Sequence, residues 1–281
     1  MHDPLSAIVA GALLAQNAAA AIAGFNSGAT LADGSVKKLA DFEAEFKAAA
    51  GLKGAPTSFN SVRLYTMVQG GTQNDPISAF QAAMTTNTTM LLGIWCSGTT
   101  SIQNDVDALK KAITQYGKKF TDLVVGISVG SEDLYRNSAT GVSNKAGIGA
   151  DPSIVAKFIG QVRSAVKGTL LEKTPIGHVD TWDVWGNSSN KAVVDAIDFL
   201  GTDAYPYFES NKGDNSIDNA LTLWNEAYDA TKAAANGKPV WITETGWPSV
   251  RSTFPSLVIW EKMTDIFDNS TVQTGVEVSH Q

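Results

Sequence analysis

Two glutamates in this chain stand where an apolar strand should run out of core. In "LVVGISVGSEDLYR" (123–136), Leu123, Val124, Val125, Ile127 and Val129 form a β-branched run fit for a strand covered on both faces, and Glu132 follows it. In "KPVWITETGWP" (238–248), Glu244 takes the same place after Val240, Trp241 and Ile242. Two carboxyl groups facing one cleft can hydrolyse a glycoside: one protonates the leaving oxygen, and the other attacks or stabilises the anomeric carbon. A lone acid at a strand end is ordinarily a solvated loop residue. Here large aromatic residues collect at the same ends, namely Tyr65, Trp95, Trp182, Tyr205, Tyr207 and Trp247. Their flat apolar faces suit the C–H faces of sugars. Trp95 and Trp185 read equally well as rim packing.

Both acids must be carried to one place by the elements around them. Strand-like runs occur at 23–29, 61–68, 89–95, 122–130, 175–182, 196–205 and 239–247. Helical spacing lies between them: Leu39, Phe42 and Phe46 share a face, as do Val106, Leu109, Ile113 and Tyr116. Asp75-Pro76 and Asp151-Pro152 each place a capping acid before a proline at the first helical position. Gly51, Gly117 and Gly237 mark helix ends. Alternation of this kind implies a parallel sheet covered by helices.

An open dinucleotide-binding sheet needs G-x-G-x-x-G after its first strand. "GFNSGATLADG" does not supply it, and no Walker-type loop occurs. A closed (β/α)₈ barrel is therefore expected. Glu132 and Glu244 are 112 residues apart, which is three strand–helix units of about 37 residues, and would share the rim where barrel chemistry occurs.

The 281 residues carry 21 basic against 28 acidic side chains, a net charge of -7, with no Lys/Arg cluster. That excludes a nucleic-acid partner and leaves a neutral or weakly charged one, and a monomer is expected. One cysteine, Cys96, rules out an internal disulfide framework. "LSAIVAGALLAQNAAAAIAG" (5–24) reads as a secretory leader, so residues 1–23 are assigned to a signal peptide and 24–281 to a single catalytic domain. No later stretch approaches the length of a membrane span. Asn87, Asn187 and Asn269 begin N-glycosylation sequons, which fits secretion.

Other chemistries leave weaker traces. "GISVG" (126–130) matches the G-x-S-x-G elbow of serine hydrolases with Ser128 as nucleophile. Ile127 and Val129 would keep the strand straight through it, and His178 lies inside strand-like sequence rather than late in the chain. No His-Glu-x-x-His, cysteine pair or calcium loop is present, so neither metal nor cofactor is expected.

The blocks "RLYT", "LLGIW", "LVVGISVGSEDLYR", "IGHVDTW", "GTDAYPYF" and "KPVWITETGWP" together resemble fungal members of glycoside hydrolase family seventeen, from about Gly24 to Pro248. These are wall-associated β-1,3-glucanases and β-1,3-glucanosyltransferases. The resemblance implies a (β/α)₈ barrel, a retaining double displacement on β-1,3-glucan, with or without transglycosylation in wall remodelling, and a secreted or cell-wall location. Glu132 matches the family's acid/base and Glu244 its nucleophile. Tyr205 matches a tyrosine beside the nucleophile, and Arg63 and Tyr65 match the floor of the sugar site. Ser131, Tyr135, Trp182, Tyr207 and Trp247 complete the expected binding residues.

The chain departs from the pattern in three places. Ser131 replaces an asparagine usual before the acid, and Ser27 stands where an aromatic is expected. After Ser249 the likeness ends. There "LVIWEKMTDIFDN" (257–269) has helical spacing, and "TVQTGVEVSH" alternates as a strand fit for the eighth position, with no eighth helix after it. The eighth unit is thus expected to be atypical, and a non-catalytic glucan-binding protein is the competing expectation.

Overall fold

The computed structural model describes residues 22–55, 57–247 and 274–277. The helix expected over 257–269 and the sequon at Asn269 lie outside the described residues, as does nearly all of the expected leader. Among the described residues, the strands are β1 (Ala23–Ser27), β2 (Phe59–Leu64), β3 (Thr89–Ile94), β4 (Val124–Ser131), β5 (Ile176–Thr181), β6 (Phe199–Asp203), β7 (Val240–Glu244) and β8 (Thr274–Glu277). Each pairs in parallel with the next, and β8 pairs with both β7 and β1, closing the barrel. The alternating tail thus fills the eighth position. β1 starts at Ala23, the last residue of the segment assigned to the leader, which is buried and paired to Phe59 and Thr274.

The helices are α1 (Leu39–Ala50), α2 (Ala79–Thr86), α3 (Gln103–Tyr116), α4 (Lys118–Thr121), α5 (Asp133–Arg136), α6 (Ala139–Ser143), α7 (Pro152–Val166), α8 (Lys191–Ala196) and α9 (Ala220–Ala234). The main core lies between them and the barrel wall. Val62, Leu64, Met90, Leu92, Ile94, Ile127 and Val129 of the strands pack in one cluster with Phe42, Phe80, Leu109 and Phe158 of the helices. Burying each such side chain stabilises the fold by about 1.5–3 kcal/mol. Phe42 and Phe46 are buried as the spacing of α1 predicts, whereas Leu39, at its first position, is exposed.

Asp151 and Pro152 start α7 as expected, although the Asp151 carboxylate accepts from Asn137 rather than from its own helix. Asp75 and Pro76 do not start a helix. The backbone of 75–77 pairs with 67–69 instead, through Gln69 N–H to Asp75 O, Ile77 N–H to Met67 O and a bridge between Val68 and Pro76. α2 therefore begins only at Ala79, after Ser78.

Two breaks in strand alternation shape the rim. Ile127 and Val129 face the helices, and strict period two would send Ser131 the same way. Gly130, at φ 92°, and a register shift against β5 between Ser128 and Ser131 turn the chain, so that Ser131 faces inward to Arg63. In β7, Ile242 packs outward with Trp224 of α9. The ladder to β6 then slips by one residue, and Asp203 pairs with Glu244 rather than with Thr243. Such an irregularity re-aims a side chain beside a site, and here it turns Glu244 into the barrel mouth.

Candidate active site

Glu132 occupies the first position after β4, in the left-handed region at φ 55°, a conformation that costs a non-glycine residue about 1–2 kcal/mol. Neighbouring bonds fix it there. Its N–H donates to Val179 O at 2.9 Å, and the carboxylate of Asp133 accepts from Ser131 N–H at 2.9 Å and Ser97 Oγ at 2.7 Å. Gly130 cannot carry a side chain, because a Cβ would collide with the Asp133 carboxylate and the His178 ring. The Glu132 carboxylate is half-buried and accepts from Arg136 Nη2 at 3.0 Å, one helical turn on.

Glu244 is buried at the end of β7 and ringed by donors. Arg63 Nη1 makes a short ion pair with Oε1, Tyr65 Oη donates to Oε1 at 3.1 Å, and Tyr205 Oη donates to Oε2 at 3.0 Å. Arg63 extends its other arm to Ser131 Oγ at 2.9 Å, so one guanidinium ties the strand of one acid to the carboxylate of the other. Oxygens of Glu132, Asp203 and Glu244 all lie within 4.8 Å of one another.

The two acids differ in electrostatics because they differ in surroundings. Burial, and next the charge of Glu244, push the Glu132 carboxyl up to about 7 despite Arg136. Glu244, by contrast, accepts from three donors, Arg63, Tyr65 and Tyr205. A protonated carboxyl close to an ionised one is the arrangement that acid-assisted nucleophilic displacement requires. Three carboxylates at this spacing could also surround a cation, but the Arg63 guanidinium already occupies that neutralising position.

Among the expected binding residues, Arg63, Tyr65 and Tyr205 bond Glu244 directly, and Ser131 reaches it through Arg63. Trp182, Tyr207 and Trp247 make other contacts. Trp182 Nε1 donates to Glu209 at 2.8 Å, with Lys212 over its ring, and Tyr207 meets Trp247 edge-on at 5.4 Å. Tyr135 packs against the core, and its hydroxyl accepts from Asn144 at 2.9 Å, with no contact to either acid among those described. The two ambiguous tryptophans separate. Trp185 is buried packing, while Trp95 is exposed with the Arg136 guanidinium over its ring at 5.3 Å.

Ser128 is no nucleophile. It lies buried in mid-strand with its hydroxyl on Leu92 O, and the nearby His178 is committed to Val129 O and Asp180. Asp203 is the site residue that sequence reasoning missed, since it reads as an ordinary polar end to β6. Its Oδ1 accepts from Thr243 at 2.7 Å, its Oδ2 has no hydrogen-bond partner among the described residues, and burial together with Glu244 pushes it well above the usual carboxylate range.

With this geometry in place, comparison with known proteins is informative. Residues 24–272 match the BtgE/BtgC glycoside hydrolase domain. The chain belongs to that family. This glycoside hydrolase domain is 55% identical over 249 residues to a probable glucan endo-1,3-beta-glucosidase of Aspergillus oryzae, an alignment covering 89% of this chain and 53% of the relative. The chain thus spans about half the length of the curated relatives it matches most strongly. In fold, the glycoside hydrolase domain resembles a family 17 beta-1,3-glucanosyltransferase of Rhizomucor miehei, with TM-score 0.66 and 24% identity over 91% of this chain and 86% of that one. An active-site mutant of that enzyme in complex with laminaritriose gives TM-score 0.65 at 22% identity, with the same coverage.

Proposed function

We propose that this chain is a retaining glycoside hydrolase that cleaves β-1,3-glucan through a covalent glycosyl-enzyme, with Glu132 as acid/base and Glu244 as nucleophile. The observation that carries the reading is the closeness of two carboxyl groups held in unequal surroundings. Retaining enzymes place the pair about 5–5.5 Å apart and inverting ones about 6.5–9.5 Å, and the approach of one oxygen from each acid to within 4.8 Å supports the shorter separation.

Glu244 attacks the anomeric carbon while Glu132 gives its proton to the departing glycosidic oxygen. Tyr65, Tyr205 and Arg63 hold the attacking carboxylate in line. Glu132, now ionised, takes a proton from water, which displaces the sugar from Glu244. A sugar hydroxyl arriving in place of water gives transfer. We take hydrolysis with some transfer as the outcome, with Trp182 and Tyr135 as candidates for the acceptor side. Similarity to a probable glucan endo-1,3-beta-glucosidase and to a beta-1,3-glucanosyltransferase supports β-1,3-glucan as the substrate class.

Glu244→Ala should abolish turnover of laminarin-type glucan, and azide should restore a little activity and yield an α-glycosyl azide. A β-azide, or undiminished reducing-end release, removes the assignment. Binding to the polymer without any release by the unaltered chain would favour a non-catalytic glucan-binding protein.

We place the protein outside the cell, in the medium or wall, as a monomer with residues preceding Ala23 removed. Among the described residues no helix is long and apolar enough to cross a membrane. Terminal sequencing and sedimentation of secreted material test these three points.

A further inference from the structure

His178 takes no part in the reaction above, yet it is fully buried in β5 directly behind the loop that carries Glu132. Both of its ring nitrogens face acceptors. Nδ1 lies 2.6 Å from the carbonyl oxygen of Val129, and Nε2 lies 2.9 Å from Asp180 Oδ2. A carbonyl can only accept, so Nδ1 carries a proton. Asp180 already receives N–H groups from Leu134 at 2.8 Å, Tyr135 at 3.1 Å and Thr181 at 2.9 Å, so it too stands as an acceptor toward the ring. A neutral imidazole has one proton for these two neighbours, whereas an imidazolium has both.

We propose that His178 is an imidazolium whose buried ion pair with Asp180 positions Glu132, the acid/base of the reading above, on which this inference rests. β5 grips the catalytic turn at successive points. Val179 O takes the N–H of Glu132 itself, and Asp180 takes the N–H groups of Leu134 and Tyr135, the second and third residues after it. Glu132 is thereby kept in its left-handed conformation. The ring also fills the space that Gly130 leaves open, pinning the last inward turn of β4. Asp180 thus receives donors from the ring and from the turn at once.

The groups facing the ring account for its charge. Asp180 lies on its own strand, Asp133 approaches from α5, β4 presents the Val129 carbonyl, and Trp185 meets the ring edge-on at 5.8 Å. Burial works against the charge, but the hydrogen bond and charge of Asp180, then Asp133 and the carbonyl, outweigh it and hold the ring above the ordinary histidine range. An ion pair of this kind is strongly destabilising to break from one side, because the remaining charge stays buried.

Two measurements test the proposal. Ring ¹⁵N shifts of the whole protein labelled at histidine, assigned by the signals lost in His178→Gln, should show both nitrogens of His178 protonated at pH 7. One protonated and one bare nitrogen overturns the imidazolium, and this needs only unaltered protein. In kinetics, Asp180→Asn should lower turnover of a β-1,3-linked oligosaccharide on the order of 10- to 10²-fold. An aryl glucoside with a good leaving group, which needs little acid help, should be much less affected. Equal loss on both substrates overturns the positioning role if Glu132→Ala retains its own leaving-group difference. If Glu132→Ala shows no such difference, the acid/base reading falls and the positioning role with it, while the ring shifts still decide the ion pair independently.

Discussion

Asp203 and Glu244 stand opposite each other in the ladder between β6 and β7, two buried carboxyl groups one strand apart. Burial, and next the charge of Glu244, raise the Asp203 carboxyl well above its ordinary range, which favours its protonated form. A carboxyl whose folded pKa lies above its unfolded one costs stability progressively as pH rises from the unfolded value through the folded one, since the folded state holds a proton that the unfolded chain releases. Asp203→Asn should therefore unfold at a higher temperature than the unaltered protein at pH 7, by about 2–4 °C for each kcal/mol gained. The gain should vanish near pH 3. Calorimetry at the two pH values measures it, and a loss of stability at pH 7 would mean that Asp203 is ionised.

Glu132 sets the alkaline limit of activity. Its carboxyl, raised to about 7 by burial and by Glu244, must hold a proton to act as acid. kcat/KM on unactivated glucan should fall as pH rises through about 7, and Glu132→Gln should lose the limb along with roughly 10²- to 10⁴-fold in rate. The stability effect has the same sign as for Asp203. Glu132→Gln should be the more stable protein at pH 8 and no more stable near pH 3, below the unfolded carboxyl range. A pH–rate profile and paired melting curves check both.

Arg63 serves two partners with two nitrogens, Glu244 and Ser131. A lysine has one ammonium and cannot reproduce the fork. Arg63→Lys should lower kcat more than it raises KM. Arg63→Ala should cost about 3–5 kcal/mol of stability by leaving Glu244 buried without its ion pair. Denaturant titration and steady-state kinetics separate these effects.

Trp182 is the better placed of the two acceptor-side candidates, because Tyr135 is tied to Asn144 and packed on the core. Trp182→Ala should lower the ratio of transfer to hydrolysis by about two- to tenfold, the equivalent of 0.5–1.5 kcal/mol of ring contact. Chromatography of products from a laminarioligosaccharide gives the ratio, and Tyr135→Phe should leave it unchanged.

The parts of this molecule legible in sequence are those governed by local pattern. Val124 to Val129 announce a buried strand by composition, and an acid at its end invites the barrel rim. The tail at 274–277 was readable from alternation alone, and it does enter the eighth position. Non-local pairing decided the rest. Asp75-Pro76 has the signature of a helix start, but residues 67–69 claim its backbone first. Asp203 looks like any polar strand end until a one-residue slip in β7 brings Glu244 beside it. His178 reads as a satisfied interior histidine, and it is one; only the geometry shows that its partners are both acceptors.

Because β8 lies between β7 and β1, the first strand waits for a neighbour about 250 residues downstream, with Ala23 meeting Thr274. On the ribosome, the nascent barrel therefore remains an open sheet until synthesis has passed Glu277. Throughout that interval β1 and β7 present unpaired backbone edges of the kind that recruit other strands. Contacts between distant residues also form late and slowly. Translation must outrun misassembly here, and the growing barrel is most exposed to aggregation just before β8 arrives.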